Sequence, residues 1–202
     1  MALFSFPVLI VFLGWLGYGL LHSLLASSAM KNMVEKHLTF LFKRYRLLYV
    51  IFAVLIPLPL LFFQLTSKSP EIWTNYREVR LAGGVMAGMG LAVLRKTLAL
   101  YDMSLFFGLK PEDAKVEPFN THGLLAKMRH PMYTATLMIF WGWFLFSNTY
   151  QNLAFCTANT IYILIGIYWE EKKLLKLYGQ KYEDYKKKTP MLIPRLRNPN
   201  LS

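Results

Sequence analysis

A chain of 202 residues that is 55% hydrophobic, 16% aromatic and only 17% charged has too little polar surface for an ordinary soluble domain of this size. Its formal charge of +12 would suit nucleic acid, but the basic residues gather between long apolar runs, where anionic lipid is the natural counterpart, and nucleic-acid binding is set aside. The single cysteine, Cys156, can form no intramolecular disulfide and reads as core packing.

Five uncharged stretches follow in chain order: Ala2–Ala26, Leu47–Leu65, Leu81–Leu94, Pro131–Phe146 and Leu153–Trp169. The first two are long enough to cross a bilayer as helices. The first has small residues after it at Ser27, Ser28 and Ala29, as a cleaved leader would. Met1–Gly14 carries no positive charge, however, and the run is longer than a leader's apolar region, so it reads as a retained span. The second contains Pro57 and Pro59, where a kink is expected. The third is short enough to be a buried or re-entrant piece instead. The last two are separated only by Ser147–Asn152, which suits a tight helical hairpin.

Charge decides the count. Of 23 Lys and Arg, residues 27–46 hold 5, 66–80 hold 3, 95–130 hold 6, 147–152 hold none and 170–202 hold 9. Five crossings put 20 basic residues on one side against 3 on the other, with the N-terminus outside and the C-terminus in the cytoplasm. Arg95 and Lys96 can snorkel from the end of the third helix, so that Leu98–Leu100 extend its apolar length. The expected fold is all-α: a polytopic membrane protein with about five transmembrane helices, a C-terminal helical hairpin and an interfacial amphipathic tail helix.

Within the third stretch, Gly84 and Gly88 have the spacing that lets two helices approach closely. Residues 101–130 form the longest polar connection, with Lys110-Pro111-Glu112-Asp113 reading as a helix start or turn and Pro118 and Thr121-His122-Gly123 as loop. Residues Glu170–Lys188 are expected to form the tail helix, with Leu174, Tyr178, Tyr182 and Tyr185 on one face, lysines around them, and Gly179 as a weak point that bends it.

Two local signals carry chemistry. In Arg129-His130-Pro131-Met132-Tyr133, Pro131 suits the first turn of the fourth helix and pushes His130 out of helical geometry. The free amides of that turn make an anion site, and Arg129 adds a planar donor fork suited to a carboxylate. The alternative is that Arg129 and His130 mark the interface and reach lipid phosphate. The second signal is Glu170-Glu171, directly after Trp169. Two carboxylates are unfavourable at a helix C-terminus. Glu170 has Lys173 as a local partner, whereas Glu171 meets only Leu174 and Leu175 at the pairing positions. A hairpin brings these carboxylates opposite the Arg129–Tyr133 turn. Cationic donors on one wall and carboxylates on the other suit a zwitterionic ligand with ribose hydroxyls.

Arg-His-Pro-x-Tyr, then Glu-Glu-x-x-Leu, then Tyr178-Gly179-x-x-Tyr182-x-x-Tyr185 and Leu192-Ile193-Pro194 resemble the isoprenylcysteine carboxyl methyltransferase-like and phospholipid methyltransferase superfamily over about residues 120–195. The resemblance implies a fold that wraps S-adenosylmethionine, yields S-adenosylhomocysteine and admits substrate laterally from the bilayer. It implies cofactor contacts at Gly123, Leu124, Arg129, His130, Tyr133, Glu170 and Glu171, and no metal. Leu125 and Ala135 depart from the pattern, standing where an aromatic and a glycine are frequent. The run Gly19-Leu20-Leu21-His22-Ser23-Leu24-Leu25-Ala26-Ser27, the Asp102 and Leu105-Phe106-Phe107-Gly108-Leu109 segment, and Pro190-Met191-Leu192-Ile193-Pro194 are similar to the methanethiol S-methyltransferase and NnrU-type branch. His22 by itself reads as a packed helix-end histidine.

The resemblance implies one membrane domain over 1–202, with N-terminal spans in 1–100 and the cofactor loop, hairpin and tail in 101–202, in a bacterial inner membrane. The implied reaction is displacement of a methyl group from a sulfonium, which needs alignment and exclusion of water. A thiol acceptor must react as thiolate, and His122, His130 and Arg195 are the candidates to favour it. The expected substrate is a small volatile or lipophilic thiol such as methanethiol. A prenylated cysteine carboxylate, a lipid amine, or a non-enzymatic NnrU-type accessory role are the alternatives.

Overall fold

The apolar stretches fold as helices whose ends are set by prolines, glycines and serines. The computed structural model describes residues 5–74, 76–110 and 119–194, all of them helical or connecting segments. Helix α1 (Phe6–Ala26) begins with Pro7 in its first turn and stops at Ser27, whose Oγ accepts from Met30 N at 3.2 Å and so starts α2 (Ser28–His37). A short turn, α3 (Thr39–Phe42), leads to the second span. That span is broken as its prolines require, into α4 (Tyr45–Leu55) and α5 (Leu58–Thr66), with Pro57 between them. The third stretch is a full helix, α6 (Arg77–Leu98), whose 22 residues rise about 33 Å and can cross a membrane. Helices α8 (Pro131–Phe146) and α9 (Tyr150–Tyr178) form the hairpin, after the small capped turn α7 (Met103–Phe106). Among the described residues four apolar helical segments are long enough to span, α8 is a shorter fifth, and the chain is a multi-pass membrane protein.

Direction follows from the pairs in contact. Trp15 of α1 stacks edge-on against Phe155 of α9, and about two turns further along both helices Ser23 Oγ meets Tyr162 OH at 3.0 Å, so α1 and α9 run parallel. Helices α6 and α8 run antiparallel, with Gly83 against Gly142 and Gly90 against Ala135. The five apolar segments therefore alternate in direction. Helix α9 is the central one, with 44% of its apolar window buried against 6% for α4–α5.

The close approach in the bundle is not made by Gly84 and Gly88. Both face open space, and the α6–α8 seam is built by Gly83, Ala87 and Gly90 instead. A Cβ on Gly83 would lie 2.6 Å from Gly142 O, and one on Gly90 would lie 2.9 Å from Ala135 O. At the hairpin end a buried amide network replaces water: Trp15 Nε1 donates to Gln64 Oε1 (2.8 Å), Gln64 Nε2 to Asn152 Oδ1 (3.0 Å), and Asn152 Nδ2 to Ser147 O (2.7 Å). Cys156 is fully buried there in the apolar core, as packing.

The tail departs from expectation. Residues 170–178 belong to α9, because nothing in Ala154–Tyr178 interrupts a helix, and Glu170 and Glu171 lie inside it rather than at its end. The break comes at Gly179, which adopts φ +54°, and a separate helix α10 (Gln180–Lys188) follows. Helix α10 docks onto protein: Tyr182 is 1% exposed, and Tyr185 OH donates to Leu125 O at 2.6 Å. Pro111, Glu112, Asp113 and Pro118 lie outside the described residues.

Candidate functional site

The site forms at the end of the bundle where α8 begins and α9 leaves the apolar zone. His130 precedes Pro131 with φ −124° and ψ 65°, outside helical geometry, and this turns Arg129 and His130 toward α9. Glu171, with a side chain 10% exposed, accepts from Arg129 Nε at 2.8 Å and faces His130 Nε2 at 3.2 Å and Lys186 Nζ at 2.7 Å. Its want of local partners in the sequence is thus met by residues from the turn before α8 and from α10. Tyr133, one turn below His130, lies with its ring 5.6 Å from the imidazole and within electrostatic reach of Glu170.

The tail closes over this turn. Arg129 N donates to Pro190 O (2.9 Å), His130 N to Met191 O (3.1 Å), and Thr134 Oγ1 to Leu192 O (2.8 Å). Arg129 NH1 also donates to the carbonyls of Lys186 and Thr189. The guanidinium therefore braces α10 as well as facing Glu171, and tail carbonyls take part of the donor set at the start of α8.

Beside this brace lies an open-mouthed cavity of about 200 Å³. Arg129, His130 and Glu170 line one side of it. Phe119, Tyr178, Tyr182 and Tyr185 form an aromatic wall, with the Phe119 ring 4.9, 5.9 and 5.3 Å from the three tyrosines in that order. Leu100, Tyr101, Asn120, Leu125 and Leu174 complete it. Burial pushes the Tyr185 phenol up to about 12 against the opposing pull of Arg129, which keeps it a neutral donor to Leu125. Two polar atoms in this lining are enclosed and make no hydrogen bond, Glu170 Oε2 and Tyr182 OH. Glu170 Oε2 lies 3.7 Å from His130 Nδ1.

Of the residues expected at the site, Arg129, His130, Glu170 and Glu171 are brought together, and Tyr133 stands just below them. Gly123 and Leu124 lie in a single 3-10 turn, Gly123–Ala126, with Gly123 at φ +65°, and it is the next residue, Leu125, that reaches the cavity. His122 precedes this turn and is exposed. Arg195 lies outside the described residues. Sequence reading missed Leu100, Tyr101, Phe119 and Asn120 as lining residues. It noticed the Tyr178, Tyr182 and Tyr185 spacing without assigning those residues to the site.

The loop that carries Phe119 is anchored on its near side. Asp102 caps α7 by accepting from Ser104 N (2.8 Å) and Leu105 N (3.3 Å), and Arg46 Nε donates to Phe106 O (3.2 Å). Gly108, at φ +72°, lets the loop press on the start of α4, where a Cβ would lie 2.5 Å from Leu47 N. Deeper in the bundle, His22 packs between the rings of Tyr18 and Tyr49, with Nε2 at 2.7 Å from Tyr49 OH.

Residues 80–181 match the phospholipid methyltransferase family. A methanethiol S-methyltransferase of Crocosphaera subtropica is 31% identical over 92% of this chain and 74% of its own length. The chain belongs to the phospholipid methyltransferase family. A second such relative, methanethiol S-methyltransferase 2 of Bradyrhizobium diazoefficiens, is 30% identical over 89% of this chain and 70% of its own length. A protein-S-isoprenylcysteine O-methyltransferase of Tribolium castaneum is 34% identical over 50% of this chain and 37% of its own length. No solved structure matches. The phospholipid methyltransferase match begins at Arg80, well before the motifs at Arg129, and so takes in α6 together with the α8 helix it packs against.

Proposed function

We propose that this membrane methyltransferase uses S-adenosylmethionine to methylate a small or lipophilic thiol such as methanethiol. The observation that carries the cofactor reading is the cavity beside the Arg129–Glu171 brace, walled by Phe119, Tyr178, Tyr182 and Tyr185 and lined by Glu170. A carboxylate and aromatic faces suit a sulfonium cation and an adenine ring, so the residues present fit the cofactor. The names of the Crocosphaera and Bradyrhizobium relatives favour a thiol acceptor.

Bound there, the cofactor supplies an electrophilic methyl group. The chain's own work is to hold, orient and keep water out. Glu170 offers a carboxylate, and the aromatic wall shields one side of the cavity from solvent. Glu171, Arg129 and Lys186 act together as a brace that fixes α10, and with it Tyr182 and Tyr185, over the site. Gly123 and Leu124 shape the turn that presents Leu125. The methyl acceptor must surrender its proton before or during attack. Of the described candidates, His122 and His130, His130 lines the cavity, and with Nε2–H donating to Glu171 its Nδ1 is left to accept that proton. In this reading the site end of the bundle, with most of the Lys and Arg, faces the cytoplasm, and the acceptor enters from the bilayer.

The test is a labelled-methyl panel: S-adenosylmethionine carrying a labelled methyl, offered to purified protein with methanethiol, a prenylcysteine analogue or phosphatidylethanolamine. Label transferred to methanethiol supports the reading. Transfer to the prenylcysteine carboxylate would instead side with the Tribolium relative. Saturable cofactor binding with no transfer to any acceptor would favour an accessory role.

A further inference from the structure

A glycine inside a long helix is less favourable than alanine unless a neighbour presses on it or its backbone turns left-handed. Neighbours explain Gly19, Gly83, Gly90 and Gly142, where a Cβ would lie 2.6–2.9 Å from another atom. Gly166, in the middle of α9, has neither reason: it is helical, and among the described residues a Cβ there would meet nothing within 4 Å. Gly17, Gly84 and Gly88 are equally open but exposed on the outside of the bundle, whereas Gly166 is half-buried. The space beside it is therefore a recess in the protein's flank. Tyr162, Gly166 and Glu170 stand about one turn apart and share one face of α9. Tyr133 of α8 is within electrostatic reach of both Tyr162 and Glu170 and so spans the level of Gly166. At the upper end Glu170 lines the cavity beside the brace. At the lower end Tyr162 is fixed, its ring against Gly19, its hydroxyl 3.0 Å from Ser23 Oγ and the His22 ring 6.4 Å away. Ile163 and Ile167 are buried on one flank while Ile165 and Trp169 are exposed on the other, so this face lies at the boundary between core and lipid. Hydroxyls and an imidazole at that depth of an apolar bundle mark a route or a site.

We infer that the recess over Gly166 receives the alkyl group of the methyl acceptor while its sulfur faces the cavity, and that Gly166 is the specificity-determining residue that caps the acceptor's size. The inference rests on the thiol-methylation reading above and adds which thiols fit. The recess is bordered by phenols and aliphatic carbon, with a carboxylate at its upper end. Such walls suit an uncharged alkyl thiol and oppose an acceptor that carries its own carboxylate. The recess also explains why helix stability is given up at Gly166, where an alanine would meet no neighbour.

The experiment uses the full chain in lipid nanodiscs, S-adenosylmethionine, and methanethiol, ethanethiol and butanethiol as a graded set of acceptors. Gly166→Ala should raise the KM for methanethiol about tenfold, the scale of one methyl group in an apolar pocket, with kcat kept within about twofold. The rise should grow with the length of the alkyl chain. Gly166→Leu, which fills the recess, should lose transfer to butanethiol first. Gly166→Ala should bind S-adenosylhomocysteine as wild type does and melt no lower, because alanine favours the helix and meets no neighbour. Gly84→Ala, equally open but exposed, should leave the whole thiol series unchanged, and a matching loss there would overturn the inference. KM values for Gly166→Ala equal to wild type across the series also overturn it, even if Gly166→Leu fails to fold. So does a parallel loss of S-adenosylhomocysteine binding, since the recess would then belong to the cofactor. If wild type binds S-adenosylhomocysteine but methylates no thiol, the thiol reading falls and takes this inference with it.

Discussion

Replacing Glu171 by alanine tests the brace on which the site depends. The side chain is 10% exposed and engages Arg129 Nε at 2.8 Å and Lys186 Nζ at 2.7 Å, with His130 at 3.2 Å. Lys186 is half exposed, so water compensates it and its share of the loss is small. Arg129 is only 9% exposed and would be left as a buried cation without a counter-charge. Breaking a buried pair in this way costs roughly 3–5 kcal/mol. Arg129 keeps its bonds to the carbonyls of Lys186 and Thr189, which places the expected loss at the lower end, about 3 kcal/mol. For a chain of this length, where each kcal/mol moves the midpoint about 2–4 °C, the melting temperature should fall by about 6–12 °C. The assay is tryptophan-fluorescence melting of the purified protein in one fixed detergent, paired with hydrogen exchange of residues 180–192, whose protection should drop before the rest. Glu171→Gln, which retains one acceptor, should lose about half as much. A Glu171→Ala melting temperature within a degree or so of wild type, with α10 still protected, would refute the brace.

Other outcomes follow from single features. Gly83→Ala should abolish recovery of folded protein, since its Cβ would lie 2.6 Å from Gly142 O, whereas Gly84→Ala, facing open space, should be neutral or stabilise by up to about 1 kcal/mol through helix propensity; detergent size-exclusion and melting separate the two. The Tyr185 phenol ionises near 10.0 when unfolded and near 12 in the fold, so its contribution is complete below pH 10 and is lost as pH climbs from 10 to 12. Tyr185→Phe should accordingly flatten the fall in melting temperature over that window. Gln64→Leu should strand the amide of Asn152 and the indole of Trp15 and destabilise by roughly 2–4 kcal/mol, read in the same melting assay. Because Cys156 is fully buried, a membrane-impermeant maleimide should label Lys127→Cys and Lys68→Cys from opposite faces of sealed vesicles, with Lys127→Cys on the cytoplasmic one.

Much of this architecture was legible because lipid imposes long uncharged runs and because an ionised glutamate without local partners must find distant ones. The hairpin, the proline break between α4 and α5, and the meeting of Arg129 with Glu171 all follow from those two constraints. The α6 seam was not legible. Gly83, Gly84, Gly88 and Gly90 lie within eight residues, and spacing alone does not say which of them faces α8. The end of α9 was misplaced because the apolar run stops at Trp169 whereas the helix continues to Tyr178; hydropathy marks the membrane boundary, and backbone geometry marks the helix boundary. The aromatic wall was half visible, as three evenly spaced tyrosines. Its fourth ring, Phe119, comes from a connection with no period to betray it. Nor does a string of side chains announce that the carbonyls of 190–192 lie against the start of α8.

That last arrangement bears on how the protein matures. Carbonyls of residues 189–192, which leave the ribosome after α9, receive protons from Arg129, His130 and Thr134. Until they dock, the first turn of α8 has donors with no acceptor and Glu171 lacks Lys186. A nascent chain halted after α9 would already be threaded through the bilayer with its brace still unmade. Catalytic competence would thus arrive as a final stitch, separate in time from insertion.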